Sequence, residues 1–289
     1  MQFKFKTTAI LLMSLAFNGI AWASQAKIES QSPAPIITNT QHHAQLSQTS
    51  PEFEILIRAI RQFLTRERYE IESKLKIFGN FPGGSFSFSA QLQTTIEAPN
   101  RFRSEIAFTN PDGDVGNQYT VTSNGTEVWI HNLNENKYSV MDYQSFRDYD
   151  DSFLIGFFSS IFFEMQEDKE TVDVFLNLTE DQLIETLETE LQTEITSANY
   201  GTENVEGIQY NTYSYKDVEE DLTITAFVKP TTATIGHLDV SGQDEDLNLS
   251  IRESIVEVNT LRFIPASTFR FVPPFDAEKS DTSLPIEPF

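Results

Sequence analysis

Three consecutive stretches of this 289-residue chain alternate apolar and polar side chains with a period of two. Tyr69, Ile71, Ser73, Leu75 and Ile77 alternate with Glu70, Glu72, Lys74 and Lys76. After Pro82-Gly83-Gly84, Phe86, Phe88, Ala90, Leu92, Thr94 and Ile96 alternate with Ser87, Ser89, Gln91, Gln93 and Thr95. Past Pro99, Phe102, Ser104, Ile106 and Phe108 alternate with Arg101, Arg103, Glu105 and Ala107. Successive side chains of a strand point to opposite faces, so each run has one apolar and one polar face. Such strands, joined by short turns, build an antiparallel sheet wetted on one side. Asn124-Gly125 and LNENK at 133–137 add turn signals. A second strand series runs from about Ile208 to Leu261, punctuated by Pro230, Gly236 and Gly242, and a last short strand ends at Phe271 before Pro273-Pro274.

Helical spacing occurs in two places. Phe53, Leu56, Ile57, Ile60, Phe63 and Leu64 fall on one helical face, with Ser50 as cap, Pro51 in the first position and Glu52 and Glu54 at the positive end. Arg58, Arg61, Arg66 and Arg68 gather towards the end of this helix, where they complement its dipole; a specific anion site is the minority reading. Between the two strand series lies a helical insert. It opens with DSFLIGFFSSIFFEM at 151–165, of which five residues are phenylalanine. Its second part starts at Thr179, where Gln182 completes a capping box ahead of Leu183, Ile184, Leu187 and Leu191. Leaving five phenylalanines in water would forgo roughly 10 kcal/mol, comparable to the whole stability of a domain, about 5–15 kcal/mol. The phenylalanine helix is therefore covered. It either packs on the sheet as an ordinary core helix or closes over a hollow lined by the apolar strand faces, and both need the same residues.

Residues 1–23 carry Lys4 and Lys6, a short apolar stretch from Ala9 to Phe17, and Ala21-Trp22-Ala23 before Ser24, the pattern of a cleaved secretory signal peptide. The apolar stretch is too short for a membrane span. Residues 24–50, rich in Ser, Gln, Thr and Pro, read as a disordered leader; 51–275 as a single domain; 276–289 as a disordered tail. Loss of residues 1–23 removes two lysines and no acid, taking the formal charge from −23 to −25. So acidic a surface repels nucleic acid and anionic membrane. With no cysteine, an exported chain of this length depends on a large core.

Motifs of catalysis are not found: there is no Gly-x-Ser-x-Gly, His-Glu-x-x-His, glycine-rich phosphate loop or cysteine. Of four histidines only His131 and His237 fall in the predicted ordered part, and His131, on a hairpin, reads as a structural or surface residue rather than a base. NPDGDVGN at 110–117 spaces Asn110, Asp112 and Asp114 like a calcium loop, but the glycine is misplaced and Val121 stands where the bidentate glutamate belongs, so a hairpin loop is expected. No catalytic residue, metal site or cofactor is expected, and the chain is read as a non-enzyme.

The order of helix, alternating strands, helical insert and further strands resembles the periplasmic lipoprotein carriers of the LolA/LolB type and their wider superfamily. Three patterns carry the likeness: APNRFRSEI at 98–106, SNGTEVWIHNLNENKYSV at 123–140 with Gly125 and Trp129 matching, and FRFVPPFDAE at 269–278. The resemblance implies an α+β, mainly β fold: a strongly curved antiparallel sheet, or incomplete β-barrel, with an N-terminal helix and a helical lid over an apolar cavity that holds acyl chains. Ala98 stands where the family's carriers have an arginine that ties the lid shut.

The resulting expectation is a monomeric periplasmic carrier that buries the acyl chains of a lipid or lipoprotein without covalent chemistry. An envelope protein could deliver or receive the cargo. The ligand-binding residues expected from the sheet are Phe86, Phe88, Leu92, Phe102, Ile106, Phe108 and Trp129; those from the lid are Phe153, Phe157, Phe158, Ile161 and Phe162. The alternative is an envelope sensor or scaffold of the same fold that binds a protein partner, its cavity filled by its own side chains.

Overall fold

A computed structural model describes residues 51–288 apart from 111, 168, 180–181, 184–197, 218–220 and 245–246. The signal peptide, the leader and most of the helix expected after Thr179 lie outside the described residues.

The alternating runs become the long strands β1 (Arg68–Phe81), β2 (Gly84–Glu97) and β3 (Arg101–Thr109), preceded by helix α1 (Pro51–Leu64). Strands β4 (Val115–Asn124), β5 (Glu127–Asn132) and β6 (Lys137–Asp142) complete the first series. The insert holds α2 (Tyr143–Arg147), a 3-10 turn (Asp150–Ile155), α3 (Phe157–Glu167) and α4 (Lys169–Asn177). The second series is β7 (Ala198–Val205), β8 (Ile208–Asp217), β9 (Leu222–Lys229), β10 (Thr234–Asp244) and β11 (Leu247–Thr260), and a two-residue β12 (Glu278–Lys279) ends the chain's strands.

All twelve strands form one open, curved sheet in the order β12-β6-β5-β4-β3-β2-β1-β11-β10-β9-β8-β7. Neighbours are antiparallel except β12, which runs parallel to β6. The centre is the β1–β11 pair, which joins the two series. Register shifts at Glu72/Ser73, Ala107/Thr109 and Ile235/His237 mark bulges, which bend and twist a sheet locally.

Alternation sorts the faces as the sequence requires. Ile71, Leu75, Leu92, Ile96, Phe102, Ile106 and Phe108 are buried on the concave face, and α1, the 3-10 turn and α3 lie against them in one apolar cluster. The α3 side chains Phe157, Phe158, Ile161, Phe162, Phe163 and Met165 are all buried. At about 1.5–3 kcal/mol each, their burial favours the packing of α3 on the sheet by roughly 9–18 kcal/mol.

Three expectations need correction. Residues 276–288 are not a loose tail: Ile286 is buried in the main cluster, its amide donates to Asp151 Oδ2 at 3.0 Å, and the Leu284 amide donates to Ser139 Oγ at 3.0 Å. Composition hid the two apolar residues that anchor this strap, and β12 covers the backbone of β6, which would otherwise be a bare sheet edge. No strand ends at Phe271; a 3-10 turn (Ala266–Phe269) sits there instead. The segment crosses the polar, convex face, where Phe269 is buried beneath the Arg101 guanidinium at 4.6 Å. The third correction, to the placing of Trp129, follows with the site.

Candidate functional site

The site is the seam between α3 and the concave sheet. The 3-10 turn ends at Gly156, whose φ of 110° suits glycine, and an added Cβ there would lie 3.1 Å from Glu253 Oε1. This turn aims the first amides of α3 at β11. Glu253 of β11 is only 1% exposed and points into the cluster between Leu75 and Leu238, its partners on β1 and β10. Its carboxylate accepts from the Phe158 amide at 2.6 Å and from Ser73 Oγ at 2.6 Å, and the Phe157 amide also turns towards it. The first amides of a helix lack intrahelical partners and carry the positive end of the dipole, so a carboxylate there satisfies both needs. Burial nevertheless pushes the Glu253 carboxyl above its ordinary range, with the hydrogen bonds pulling the other way.

Polar contacts continue across the seam. Thr94 Oγ1 donates to the Ile155 carbonyl at 2.9 Å and lies 2.8 Å from Ser104 Oγ, all three residues being buried. Tyr69 Oη and Ser159 Oγ are buried in the same region and make no hydrogen bond among the described residues. The Tyr69 phenol is pushed well up by burial.

Around this seam the rings interlock. Phe158 meets Phe63 of α1 at 4.2 Å between centroids, Phe162 meets Tyr69 edge-on at 5.1 Å, and Phe163 meets Phe102 at 5.1 Å. Thus Leu92, Phe102, Ile106, Phe108, Phe157, Phe158, Ile161 and Phe162 are brought together, and Phe88 and Phe153 border them half-buried. Phe86 lies at the margin, 38% exposed, stacked on Phe88 and over Gly79 near the β1–β2 turn.

Trp129 is not in the cluster. Val128 and Ile130 take the inward positions of β5, so the residue between them faces the convex side, where the indole stacks on Phe271 at 6.1 Å. His131 shares that side, with Phe271 at 5.7 Å. His237 packs between Tyr210 and Phe227, hydrogen-bonds Ser254, and is held below its ordinary pKa by burial and by Arg252. Both histidines have packing partners that account for them.

Sequence reasoning missed Glu253. The signal was its phase: Leu249, Ile251, Glu253 and Ile255 share one face of the alternation, and a carboxylate in an apolar register needs an explanation. Ala98 packs against the cluster and carries no charge, and α3 is tied to the sheet from β11 through Glu253.

A second feature adjoins the lid. A cleft of about 140 Å³ opens between α1 and the β9–β11 corner, with Phe63, Phe158, Ile235 and Ile255 among its walls and Arg66 and Lys229 on its rim.

No protein-family model matches this chain, and neither does any curated protein. Among solved structures it aligns with an uncharacterized conserved protein of Thermus thermophilus at 12% identity, over 78% of this chain and 96% of that one, with a TM-score of 0.38. LprF of Mycobacterium bovis aligns at 12% identity over 75% and 97%, with a TM-score of 0.40. A LolA superfamily protein of Nitrosomonas europaea aligns at 9% identity over 75% and 96%, with a TM-score of 0.28.

Proposed function

We propose that the protein binds the acyl chains of a lipid or lipidated protein non-covalently beneath α3, as an exported carrier. The observation that carries this reading is the polar seam under an apolar lid. An interface built only for permanence gains nothing from buried hydroxyls left without partners, each of which costs about 1–3 kcal/mol. Here Tyr69 and Ser159 lie where α3 meets the sheet without a partner among the described residues, and the polar clamp that holds the helix is the single carboxylate of Glu253. Such a seam weakens the closed packing and leaves it openable.

The magnitudes permit exchange. An acyl chain of about sixteen methylenes gains about 13 kcal/mol on burial, at about 0.8 kcal/mol per methylene. The lid's own buried side chains contribute the same order, so cargo can replace lid contacts with little net change. Non-covalent exchange of one apolar filling for another needs no reacting group.

The filled interior also supports a second reading, a partner-binding scaffold whose lid never leaves the sheet. Organic extraction and mass spectrometry of the chain, purified from its native envelope without detergent, separates the two. A stoichiometric lipid or acylated peptide supports the carrier. A blank that persists after incubation with added lipid refutes it in favour of the scaffold. Phe157→Asp places a charge on the lid's buried face and is expected to reduce lipid uptake at least about tenfold, the equivalent of about 1.4 kcal/mol, while the chain is still exported; unchanged uptake counts against a lid role.

A further inference from the structure

The arginines at the end of α1 do not all do the same work. Arg58 pairs with Glu54, Arg61 donates to the Leu178 carbonyl, and Arg68 pairs with Glu97 at 2.8 Å. The Arg66 side chain has no hydrogen-bond or ion-pair partner among the described residues, although it is half-buried at the rim of the cleft and burial lowers its pKa. Lys229, on the opposite rim, is likewise unpaired among them. The cleft continues from Arg66 into a shallower groove of about 550 Å³ that ends at Arg262, a third cation without an ion pair among the described residues. In a chain of formal charge −23, carboxylates are abundant. Yet among the described residues only Glu257 lines the cleft and only Glu67, which lies 3.9 Å from Arg68, lines the groove, and neither pairs with these three cations.

We propose that this cleft receives the head of a single-chain anionic amphiphile, with Arg66 and Lys229 gripping a carboxylate or phosphate and the tail entering between Phe63 and Ile255 against Phe158. Guanidinium and ammonium groups over an apolar slot match an oxyanion joined to a hydrocarbon. A free inorganic anion would leave the slot unfilled, and a neutral amphiphile would leave the cations unanswered.

Size fixes the depth of entry. Pockets that enclose a whole small molecule measure about 300–1,000 Å³, so 140 Å³ admits only the first part of a tail. Its inner wall is Phe158, whose amide is held by Glu253. A tail pressing further therefore acts on the residue that fastens α3, linking headgroup capture to lid release. This inference rests on the acyl-binding reading and adds to it the charge of the head and the point of entry.

The test is calorimetric titration of the full exported chain with oleate, oleoyl lysophosphatidate, monoolein and inorganic phosphate, each below its aggregation threshold. Oleate and the lysophosphatidate are expected to bind at least about tenfold tighter than monoolein, which shares their tail. Inorganic phosphate at millimolar concentration is expected neither to bind nor to compete. The double variant Arg66→Gln/Lys229→Gln is expected to remove the preference while leaving monoolein unchanged; both positions are at the rim, and a thermal melt checks folding. If monoolein matches oleate, or the double variant keeps the preference, the headgroup site is refuted and acyl binding stands. If no amphiphile binds, the acyl reading itself fails. If phosphate binds alone and blocks oleate, the rim is a plain anion site and the tail assignment is overturned.

Discussion

Replacing Glu253 by alanine removes the acceptor of two 2.6 Å hydrogen bonds, from Ser73 Oγ and from the Phe158 amide, at a position that is 1% exposed. A hydrogen bond to a charged acceptor contributes about 1.5–3 kcal/mol. Two would contribute about 3–6 kcal/mol, but burial raises the carboxyl's pKa, so part of that gain is offset by desolvation. Only the bond from the Phe158 amide reaches α3, so about 1.5–3 kcal/mol is the attachment of the helix. With each 1.4 kcal/mol worth about tenfold, amides of Phe157–Glu167 should exchange with solvent roughly 10- to 150-fold faster in Glu253→Ala. Hydrogen exchange read by mass spectrometry on peptides covering α3, β1 and β11 measures this directly. Glu253→Gln keeps an acceptor for the amide and should change α3 much less. The reasoning fails if α3 exchange is unchanged in the alanine variant. It also fails if β1 and β11 loosen as much as α3, because Glu253 would then hold the core together rather than fasten a lid.

Stability should respond to pH through the same carboxyl. Its folded-state pKa lies above the ordinary 4.5, so the folded protein holds a proton that the unfolded chain releases, and stability falls as pH rises from about 4.5 through the raised value. Urea midpoints across that window should decline in the wild type and decline less in Glu253→Gln; equal slopes would show that other groups set the profile. Ile286→Ala should cost about 2 kcal/mol, the low end for a buried isoleucine because the strap lies at the margin of the core. That is a fall in Tm of about 4–8 °C for a domain of this size, and an unchanged Tm in scanning calorimetry would mean that the strap is detached in solution.

Much of the architecture was legible because period-two alternation depends only on which way side chains point. Tyr69 to Ile77, Ala90 to Ile96 and Phe102 to Phe108 fall on one concave face as their phase demanded, with the phenylalanine helix against them. The Thr179–Gln182 capping box is also present, with reciprocal bonds of 2.8 and 3.2 Å. These signals are local. The strap was missed because its order is tertiary: Leu284 and Ile286 are held by Ser139 and Asp151, 145 and 135 residues away in the chain. Strand β7 was missed because Ala198–Val205 has no apolar alternation and is ordered by pairing with β8.

Trp129 and Glu253 show the same rule read from opposite sides. By residue type Trp129 belongs with the inward apolar side chains, although Val128 and Ile130 on either side already hold the inward phase of β5. By residue type Glu253 belongs with the solvated surface, as one of 43 acids, although Leu249 and Ile251 before it set an inward phase for it. In a sheet with one buried face, phase decides location and residue type decides only the energetic consequence. A large ring out of phase finds a partner on the other face, as the indole does on Phe271. A carboxylate in phase has no such escape. It must find donors inside the core, and the donors at hand are the unpaired amides that begin α3. A charged side chain forced into the concave face thereby also fastens the helix above it.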